Sequence, residues 1–580
     1  MAHSRRIAVI LPLLTGTVLA VCSLSAQAAP RAGDIEDSNA LIMTAEIALR
    51  RDDCGRAASD YAQAAQRLAD ARVAQRAASV ALDCGQYATA ESVAARWRQL
   101  RPSDPAALRA TMRAALGLFQ IDTARSAFES WLRSSDVAAD HANASAGVAA
   151  DHSIAAQLQQ VADQSGVPAT FAMLQGVRAR PLQSGAGQLA LADLALDGWN
   201  YRDAVQYAQR ALSSGAQTAP AQLVLARAHA GLGEAEQAVA AAAAARVAAP
   251  KAQSFANADV LILLGRDREA RTAIEALGQN PALKAQALRR LGLLAFDSGN
   301  YDEAQRDFSA LLSDRDSAAI AVYYLAAIAE RRDDIQTALR GYQLLAGTAL
   351  ESAARLRAAT LLYKNGHPSD ALQLLTPAAN AGPQAHVDAE IEQAQLLSDG
   401  GQADAALARL DDALARSPGH PDLLYQKAIV LEKGGHTDAA VALLSDLYKQ
   451  RPEDGEIANA LGFILADHDR DLSRAERLIS FALRQEPDNP AILDSMGWLD
   501  YRRGMPRTAL PLLERAFRLD QDGDIGAHWG EVLWALGEKA KARDAWSRAL
   551  IADPDNTAVK AAEKRLGAPQ LLNPAGGTSI

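Results

Sequence analysis

Small and apolar residues recur along the chain at intervals of about 34 positions, from near its start to near its end. Each unit reads as two amphipathic helices joined by a short turn, because apolar positions within it follow the helical period of 3.6. Small residues mark the places where the two helices approach each other, glycine marks the turn, and a bulky residue fills the gap toward the next unit. Two consecutive units contain Gly497, Gly504, Ala509 and Leu513, then Gly530, Gly537, Ala542 and Trp546.

One alanine in the second helix of each unit is expected at the closest helix crossing, and it serves to count the units. It recurs with one gap, between Ala124 and Ala204. A hairpin of this length cannot bury its apolar face alone, whereas stacked hairpins can. We therefore predict an all-α, right-handed superhelical solenoid of about 14 hairpins. The counted positions are Ala57, Ala90, Ala124, Ala204, Ala238, Ala270, Ala304, Ala338, Ala371, Ala406, Ala440, Ala475, Ala509 and Ala542.

The order of small and bulky residues at these spacings resembles the tetratricopeptide repeat family. Asp104-Pro105, Asn280-Pro281 and Asn489-Pro490 each place a capping side chain before a proline at the first helical position. The resemblance implies a groove that binds other proteins and no catalytic activity.

The repeat pattern divides the chain into five parts. Residues 1–28 are interpreted as a signal peptide, residues 29–140 as N-terminal hairpins, and residues 185–566 as the main array. Residues 141–184 break the pattern with Gly147, Gly166, Pro168 and Pro181, so we predict a degenerate helical connector there, with helices at 153–162 and 169–178. Residues 567–580 are rich in glycine and proline, and we expect a disordered tail.

The N-terminus has the features of an export signal. Arg5 and Arg6 precede an apolar stretch that is too short for a spanning helix, and Ala26-Gln27-Ala28 supplies a small-x-small cleavage site. An alternative is lipidation at Cys22, although Val21 fits a lipoprotein site poorly. The predicted localisation is the periplasm, with membrane attachment only if Cys22 is lipidated.

Export determines how the remaining cysteines are interpreted. Cys54 and Cys84 fall near the turns of successive hairpins, where an oxidising compartment permits a disulfide. The alternative is a pair of buried thiols. Two cysteines without nearby histidines do not predict a zinc site.

Charge and motifs argue against several functions. The formal net charge is −10, which disfavours a nucleic-acid partner because phosphate binding needs clustered Lys and Arg. Motifs of hydrolases, zinc proteases, phosphate-binding loops and dinucleotide sites are absent from the sequence. We therefore predict no enzyme activity, no cofactor and no metal.

Aromatic residues concentrate in the last repeats, at helix positions that face the concave groove in such arrays. Rings beside carboxylates favour a protein-binding surface, since rigid aromatics anchor interfaces. The other interpretation is that these rings pack between hairpins and close the C-terminal end. The candidate groove residues are Asn459, Phe463, Asp494, Trp498, Tyr501, Glu531 and Trp534.

The same region carries a closer resemblance. Residues 459–463, 488–498 and 528–537 are similar to a group of exported bacterial tetratricopeptide proteins, typified by the outer-membrane lipoprotein adaptor of the periplasmic carboxy-terminal processing protease (the LbcA type). This resemblance implies an adaptor that tethers a protease and presents peptidoglycan hydrolases to it. The alternative function is a periplasmic scaffold for exopolysaccharide export or outer-membrane assembly.

Overall fold

The computed structural model describes residues 32–134, 147–250, 255–378 and 381–567, and the side chains from residue 36 onward apart from those of residues 147–154. The predicted signal peptide, Cys22 and residues 568–580 lie outside the described residues. Within them the chain forms 32 α-helices, one short 3₁₀ helix (Pro281–Leu283) and no strand, which confirms the all-α prediction. None of these helices combines the length and apolar character that a bilayer span requires.

The first six helices form three antiparallel hairpins, and three further helices follow them. The hairpins are α1 (Ala32–Leu49) with α2 (Cys54–Arg67), α3 (Ala71–Asp83) with α4 (Tyr87–Leu100), and α5 (Pro105–Gly117) with α6 (Ile121–Leu132). The helices that follow are α7 (Gly147–Ser165), α8 (Val167–Leu174) and α9 (Arg180–Gln183).

A final single helix packs on the last hairpin of the array. Before it come eleven more hairpins, so the described residues contain the 14 predicted hairpins. They are α10 (Gly185–Asp197) with α11 (Tyr201–Ser213), α12 (Thr218–Leu232) with α13 (Ala235–Ala248), α14 (Ala256–Leu263) with α15 (Asp267–Gly278), α16 (Lys284–Asp297) with α17 (Tyr301–Leu311), α18 (Ala318–Arg331) with α19 (Ile335–Gln343), α20 (Glu351–Lys364) with α21 (Pro368–Leu375), α22 (Pro383–Asp399) with α23 (Ala403–Arg416), α24 (Pro421–Lys433) with α25 (Thr437–Gln450), α26 (Gly455–Asp467) with α27 (Leu472–Gln485), α28 (Pro490–Arg502) with α29 (Pro506–Leu519), and α30 (Gly523–Ala535) with α31 (Lys539–Ala552), followed by α32 (Thr557–Leu566).

Helix starts follow the predicted capping chemistry. The side chain of Asp104 accepts a hydrogen bond from the backbone N–H of Ala106 at 3.0 Å, and Asn489 does the same for Ala491 at 3.0 Å. In both cases a proline at the first helical position lacks the N–H that would otherwise need a partner. Asn280 caps Ala282 in the same way at 3.1 Å, but there the chain makes one 3₁₀ turn before α16 begins.

The helix crossings depend on small side chains. All fourteen counted alanines are 0% exposed. At Gly497 an added Cβ would lie 2.7 Å from Cγ of Leu513, and at Gly530 it would overlap Trp546. Substitution at either glycine would therefore separate the paired helices or displace the bulky residue between repeats.

The described part of the predicted connector, residues 147–184, contains three helices and continues the hydrophobic core. One cluster of buried side chains runs from Leu108 through Leu158 and Leu182 to Val260. Arg125 of α6 donates hydrogen bonds to the carbonyl oxygens of Met173 and Ala172, at 3.1 and 3.2 Å, and so ties α8 to the preceding hairpin. The helix expected at 169–178 instead ends at Leu174, because Gly176 adopts a φ of +84° that interrupts a right-handed helix.

The stack curves so far that its C-terminal hairpins contact its N-terminal ones. We call α1–α21 the first lap and α22–α32 the second lap. Turns within first-lap hairpins face the connections between second-lap hairpins. Asp52 lies 3.7 Å from His386, and Gln86 donates to the carbonyl of Pro418 at 3.0 Å. The guanidinium of Arg451 lies 4.6 Å from the ring centroid of Phe119.

The seam between the laps continues toward the C-terminus through polar contacts. Arg518 donates to the carbonyl of Ala230 at 3.2 Å. Arg331 donates to the carbonyls of Ile551 and Ala552, at 3.1 and 2.9 Å, where α31 ends and its carbonyls lack helical partners. Because these contacts join residues more than two hundred positions apart, the solenoid is closed on itself along this seam.

Candidate protein-binding surfaces

Trp498 stands at the centre of a cluster on the helices α26, α28 and α30. Its ring stacks on His528 with centroids 4.1 Å apart, and it lies 5.3 Å from the ring of Tyr501. The indole Nε1 donates to Asp467 at 2.8 Å, and the side chain is only 4% exposed. Trp498 thus packs between neighbouring hairpins, as the packing interpretation of these rings predicts, and a direct role in partner binding stays a prediction.

The predicted carboxylates of this cluster also have partners within the fold. His528 Nδ1 lies 3.0 Å from both carboxylate oxygens of Asp494. Glu531 accepts a hydrogen bond from the hydroxyl of Tyr501 at 3.3 Å and pairs with Arg565. Both carboxylates are buried. These contacts link α28 to α30 and α30 to α32, so the acids stabilise the end of the array.

The pKa of His528 reflects this setting. Burial opposes protonation of the ring, but the adjacent carboxylate of Asp494, with Asp524 and Asp467 farther away, outweighs burial and raises the pKa above 6.5. The sequence prediction missed His528, which lies one residue beyond the position equivalent to Asp494 on the first helix of the next hairpin, since these two repeats are offset by 33 residues.

The seven predicted groove residues do not form one continuous patch. Phe463 joins the cluster, with its ring centroid 5.9 Å from that of His528. Trp534 is half-buried and instead stacks on Trp546 at 5.6 Å. Asn459 lines a different cavity, between the laps. An opening of about 470 Å³ remains beside the cluster, lined by Asp469, Trp498, Tyr501, Arg502, Glu531 and Arg565.

A second surface lies on the first helices of successive hairpins near the N-terminus. We call it the N-terminal cleft. It is a depression of about 360 Å³ between α3, α5 and α7, closed at its base by side chains of α4 and α6. Its polar lining includes Arg109 and Arg113 of α5 and Gln157 of α7, and Trp97 and Trp131 supply indole groups. No Asp or Glu lines it among the described residues.

A third cavity, of about 510 Å³, lies between the laps and is acidic. Asp422, Asp454, Glu456 and Glu486 line it, with Arg451 as the one arginine in the described lining. Enclosure by both laps, together with the neighbouring carboxylates of Asp454, Asp422 and Glu486, raises the pKa of Glu456 to about 7. Its side chain is nevertheless accessible to solvent within the cavity.

The two remaining cysteines are joined in the structure. Cys54 and Cys84 form a disulfide whose Cα atoms are 5.5 Å apart, within the range that an unstrained bridge requires. Both residues are almost fully buried, and they tie the first hairpin to the second.

One group of side chains has the composition of a metal site. Ligand atoms of Glu432, Asp467 and His468 lie within 4.8 Å of one another. Asp467, however, already accepts a hydrogen bond from Trp498, and Arg502 lies 3.3 Å from the same carboxylate oxygen. The positive charge of Arg502 opposes a bound cation, and we interpret the group as an ion-pair network.

Comparison with known proteins finds similarity to one repeat family over parts of the chain. Family models described as tetratricopeptide repeat match residues 397–462 and residues 255–304 and 289–351. The TPR repeat-containing protein PA4667 of Pseudomonas aeruginosa is 28% identical over 211 residues, which span 36% of this chain and 36% of that relative.

Solved structures of similar repeats match parts of the chain. TTC0263, a thermophilic TPR protein of Thermus thermophilus, is 20% identical, with 31% of this chain and 97% of that one covered and a TM-score of 0.28. A tetratricopeptide repeat protein of Parabacteroides merdae is 16% identical, with 49% and 98% covered and a TM-score of 0.29. The chain thus contains segments similar to tetratricopeptide repeats, and its described residues form an all-α array of fourteen stacked hairpins.

Proposed function

We propose that this protein is an exported, non-enzymatic scaffold that binds partner proteins, and that these partners are a periplasmic processing protease and its cell-wall hydrolase substrates. The observation that carries the protein-binding part is the N-terminal cleft, where Trp131 Nε1 and Gln157 Oε1 have no hydrogen-bond partner among the residues that the structure describes. Buried polar groups are normally hydrogen-bonded. Groups that line a cleft and lack such bonds are therefore expected to form them with a bound partner protein.

The export part of the proposal is supported by the Cys54–Cys84 pair. Disulfides persist in oxidising compartments such as the periplasm and are rare where thiols are kept reduced. Intact mass of the mature chain tests it further. A chain that starts after Ala28 supports a freely exported protein, and an acylated Cys22 supports an anchored one.

The protease part rests on the resemblance of residues 459–463, 488–498 and 528–537 to the adaptor type described above. Several of these residues have structural roles: Asp488 lies at the seam between the laps, and Trp498 and His528 form the C-terminal cluster. The resemblance therefore supports a shared architecture of the C-terminal hairpins.

The proposed mechanism is co-localisation. A scaffold that holds a protease and its substrate raises their effective concentration, to roughly the millimolar range for short tethers, without contributing catalytic groups. Degradation of the substrate should therefore accelerate only when both proteins are bound to the same chain.

Reconstitution tests this proposal directly. The purified mature chain, fixed on resin, is expected to retain a carboxy-terminal processing protease and a peptidoglycan hydrolase from periplasmic extract, relative to bare resin. The soluble chain should then accelerate hydrolase degradation by the purified protease. Retention of polysaccharide synthase or export components in place of these proteins would contradict the proposal and favour the exopolysaccharide alternative.

A further inference from the structure

The N-terminal cleft carries positive charge in a chain whose net charge is −10. Arg109 and Arg113 lie one helical turn apart on α5 and therefore face the same side of that helix. Within the described part of the chain, neither guanidinium has an ion pair or a hydrogen bond. Arg125 on the next helix shows the contrast, because its guanidinium binds Asp122 and two backbone carbonyls.

An indole N–H in the same cleft lacks an acceptor. Trp131 is only 3% exposed, and its Nε1 has no hydrogen-bond partner among the described residues. An unpaired buried donor costs about 1–3 kcal/mol, so such groups normally find a partner.

The repeat itself shows which acceptor this position takes. Trp97 occupies the equivalent place one repeat earlier, 34 positions before Trp131, and its Nε1 donates to the carboxylate of Asp104 at 3.1 Å. Thirty-four positions after Asp104 the sequence has Ala138, whose side chain has no acceptor. The position that supplies the acceptor to Trp97 therefore has no carboxylate at the same offset from Trp131.

An acceptor oxygen completes the set of unpaired groups. Gln157 Oε1 is buried and unpartnered in the described structure, and it belongs to the opposite wall of the cleft, on α7. An amide oxygen can accept a backbone N–H, whereas the side chains of the two arginines and of Trp131 are donors only. A volume of about 360 Å³ is near the lower end for ligand pockets, so the cleft admits a short extended segment.

From these groups we infer that the N-terminal cleft binds an acidic side chain on an extended segment of a partner protein. The carboxylate lies between Arg109, Arg113 and Trp131 Nε1, and Gln157 accepts a hydrogen bond from the segment's backbone. This inference rests on the proposed scaffold function and specifies the chemistry of the segment that the scaffold holds. Binding of this kind weakens as salt rises, because charge on accessible groups is screened.

The test uses three fluorescein-labelled peptides with capped ends, in which glycine alternates with Glu, Gln or Lys. Fluorescence anisotropy with the full mature chain at low salt is expected to show binding of the Glu peptide, at least about tenfold weaker binding of the Gln peptide, and none of the Lys peptide. Equal affinity for the Glu and Gln peptides would overturn the inference.

Variants locate the site. Arg109→Gln with Arg113→Gln should weaken binding of the Glu peptide about tenfold or more, and Trp131→Phe several-fold, since the phenyl ring keeps most of the packing but lacks the N–H. The matched control is Arg246→Gln with Arg268→Gln, which removes the same charge from exposed positions outside the described cavities and should leave affinity unchanged. If both double variants lose the same affinity for the Glu peptide, the effect is one of overall charge, and the assignment of the site to the N-terminal cleft is wrong.

Two further experiments separate this inference from related ones. If Asp136→Asn with Asp140→Asn tightens peptide binding, the chain's own carboxylates compete for the cleft, and the partner inference is wrong. If the Arg109/Arg113 double variant still retains protease and hydrolase on resin as well as wild type does, the inference fails while the scaffold function stands. Loss of retention in that variant, with normal circular dichroism, supports both.

Discussion

The carboxylate of Asp488 accepts a hydrogen bond at 2.9 Å from the backbone N–H of Tyr201, a residue 287 positions earlier in the chain. The backbone N–H of Asp488 donates in turn to the carbonyl of Trp199 at 3.0 Å, and Arg515 pairs with the same side chain. Asp488 is 2% exposed. It therefore joins the fourth hairpin of the first lap to the connection between two hairpins of the second lap.

Loss of this carboxylate should open the seam. Asp488→Ala leaves the half-buried Arg515 charge and the buried Tyr201 N–H without this acceptor, a change that costs about 3 kcal/mol when both partners are buried and less where one is partly exposed. We expect a larger radius of gyration by small-angle X-ray scattering and a lower melting temperature. Asp446→Ala, which removes a surface ion pair with Lys449, is the matched control and should change neither quantity measurably.

The ion pair of His528 predicts a dependence of stability on pH. Since the pKa of His528 is raised in the folded chain, its contribution is fully present below the unfolded value of 6.5 and is lost as pH rises through the folded value. His528→Gln should therefore lower the melting temperature more at about pH 6 than at about pH 9. An equal loss at both pH values would show that stacking on Trp498, and not charge, is what the histidine contributes.

Glu456 predicts an effect that appears at higher pH. Its folded-state pKa of about 7 exceeds the ordinary value of 4.5, so the folded state holds the proton more tightly and stability falls as pH rises from 4.5 to 7. Glu456→Gln should stabilise the chain at pH 8 by about 1 kcal/mol, a figure reduced for the solvent access of the side chain, and change little at pH 4. Glu453→Gln, an exposed neighbour, is the control.

The disulfide should stabilise the N-terminal hairpins. Cys54 and Cys84 are separated by 30 positions, and closing a loop of that length restricts the unfolded chain by about 3–4 kcal/mol in the entropic account. Cys54→Ala with Cys84→Ala should increase amide hydrogen exchange in α1–α4 and leave the C-terminal hairpins unchanged. Reductant should cause the same increase in hydrogen exchange in the wild-type chain and none in the variant. If neither the substitutions nor the reductant changes exchange, the alternative of two thiols is favoured.

Local features of the fold could be predicted from the sequence because they repeat. Each counted alanine lies at a helix crossing whose spacing is fixed within one hairpin, and capping by Asp104 or Asn489 involves only the next two residues. The predicted helix at 169–178 failed at its end because Gly176 takes a left-handed conformation that no periodic pattern reveals.

The seam and the candidate site lie beyond such local patterns. Whether Asp488 reaches Tyr201 depends on small rotations accumulated over many hairpins, which the sequence of one repeat does not encode. Trp498 was predicted on the groove face. A ring at that position also reaches the first helix of the next hairpin, where it stacks on His528. That Trp131 Nε1 lacks an acceptor within the described part of the chain could be recognised only from the structure, where Trp97 donates to Asp104.

The central feature of this fold is the contact between the first and second laps, which closes the solenoid. Zero-length carbodiimide coupling tests this contact without mutation. Lys364 Nζ lies 2.6 Å from Asp555 across the seam, and Lys433 Nζ lies 2.9 Å from Asp399 of the neighbouring hairpin. We predict that mass spectrometry of the monomeric coupled chain finds both amide links. Finding the Lys433–Asp399 link without the Lys364–Asp555 link would contradict the closed superhelix.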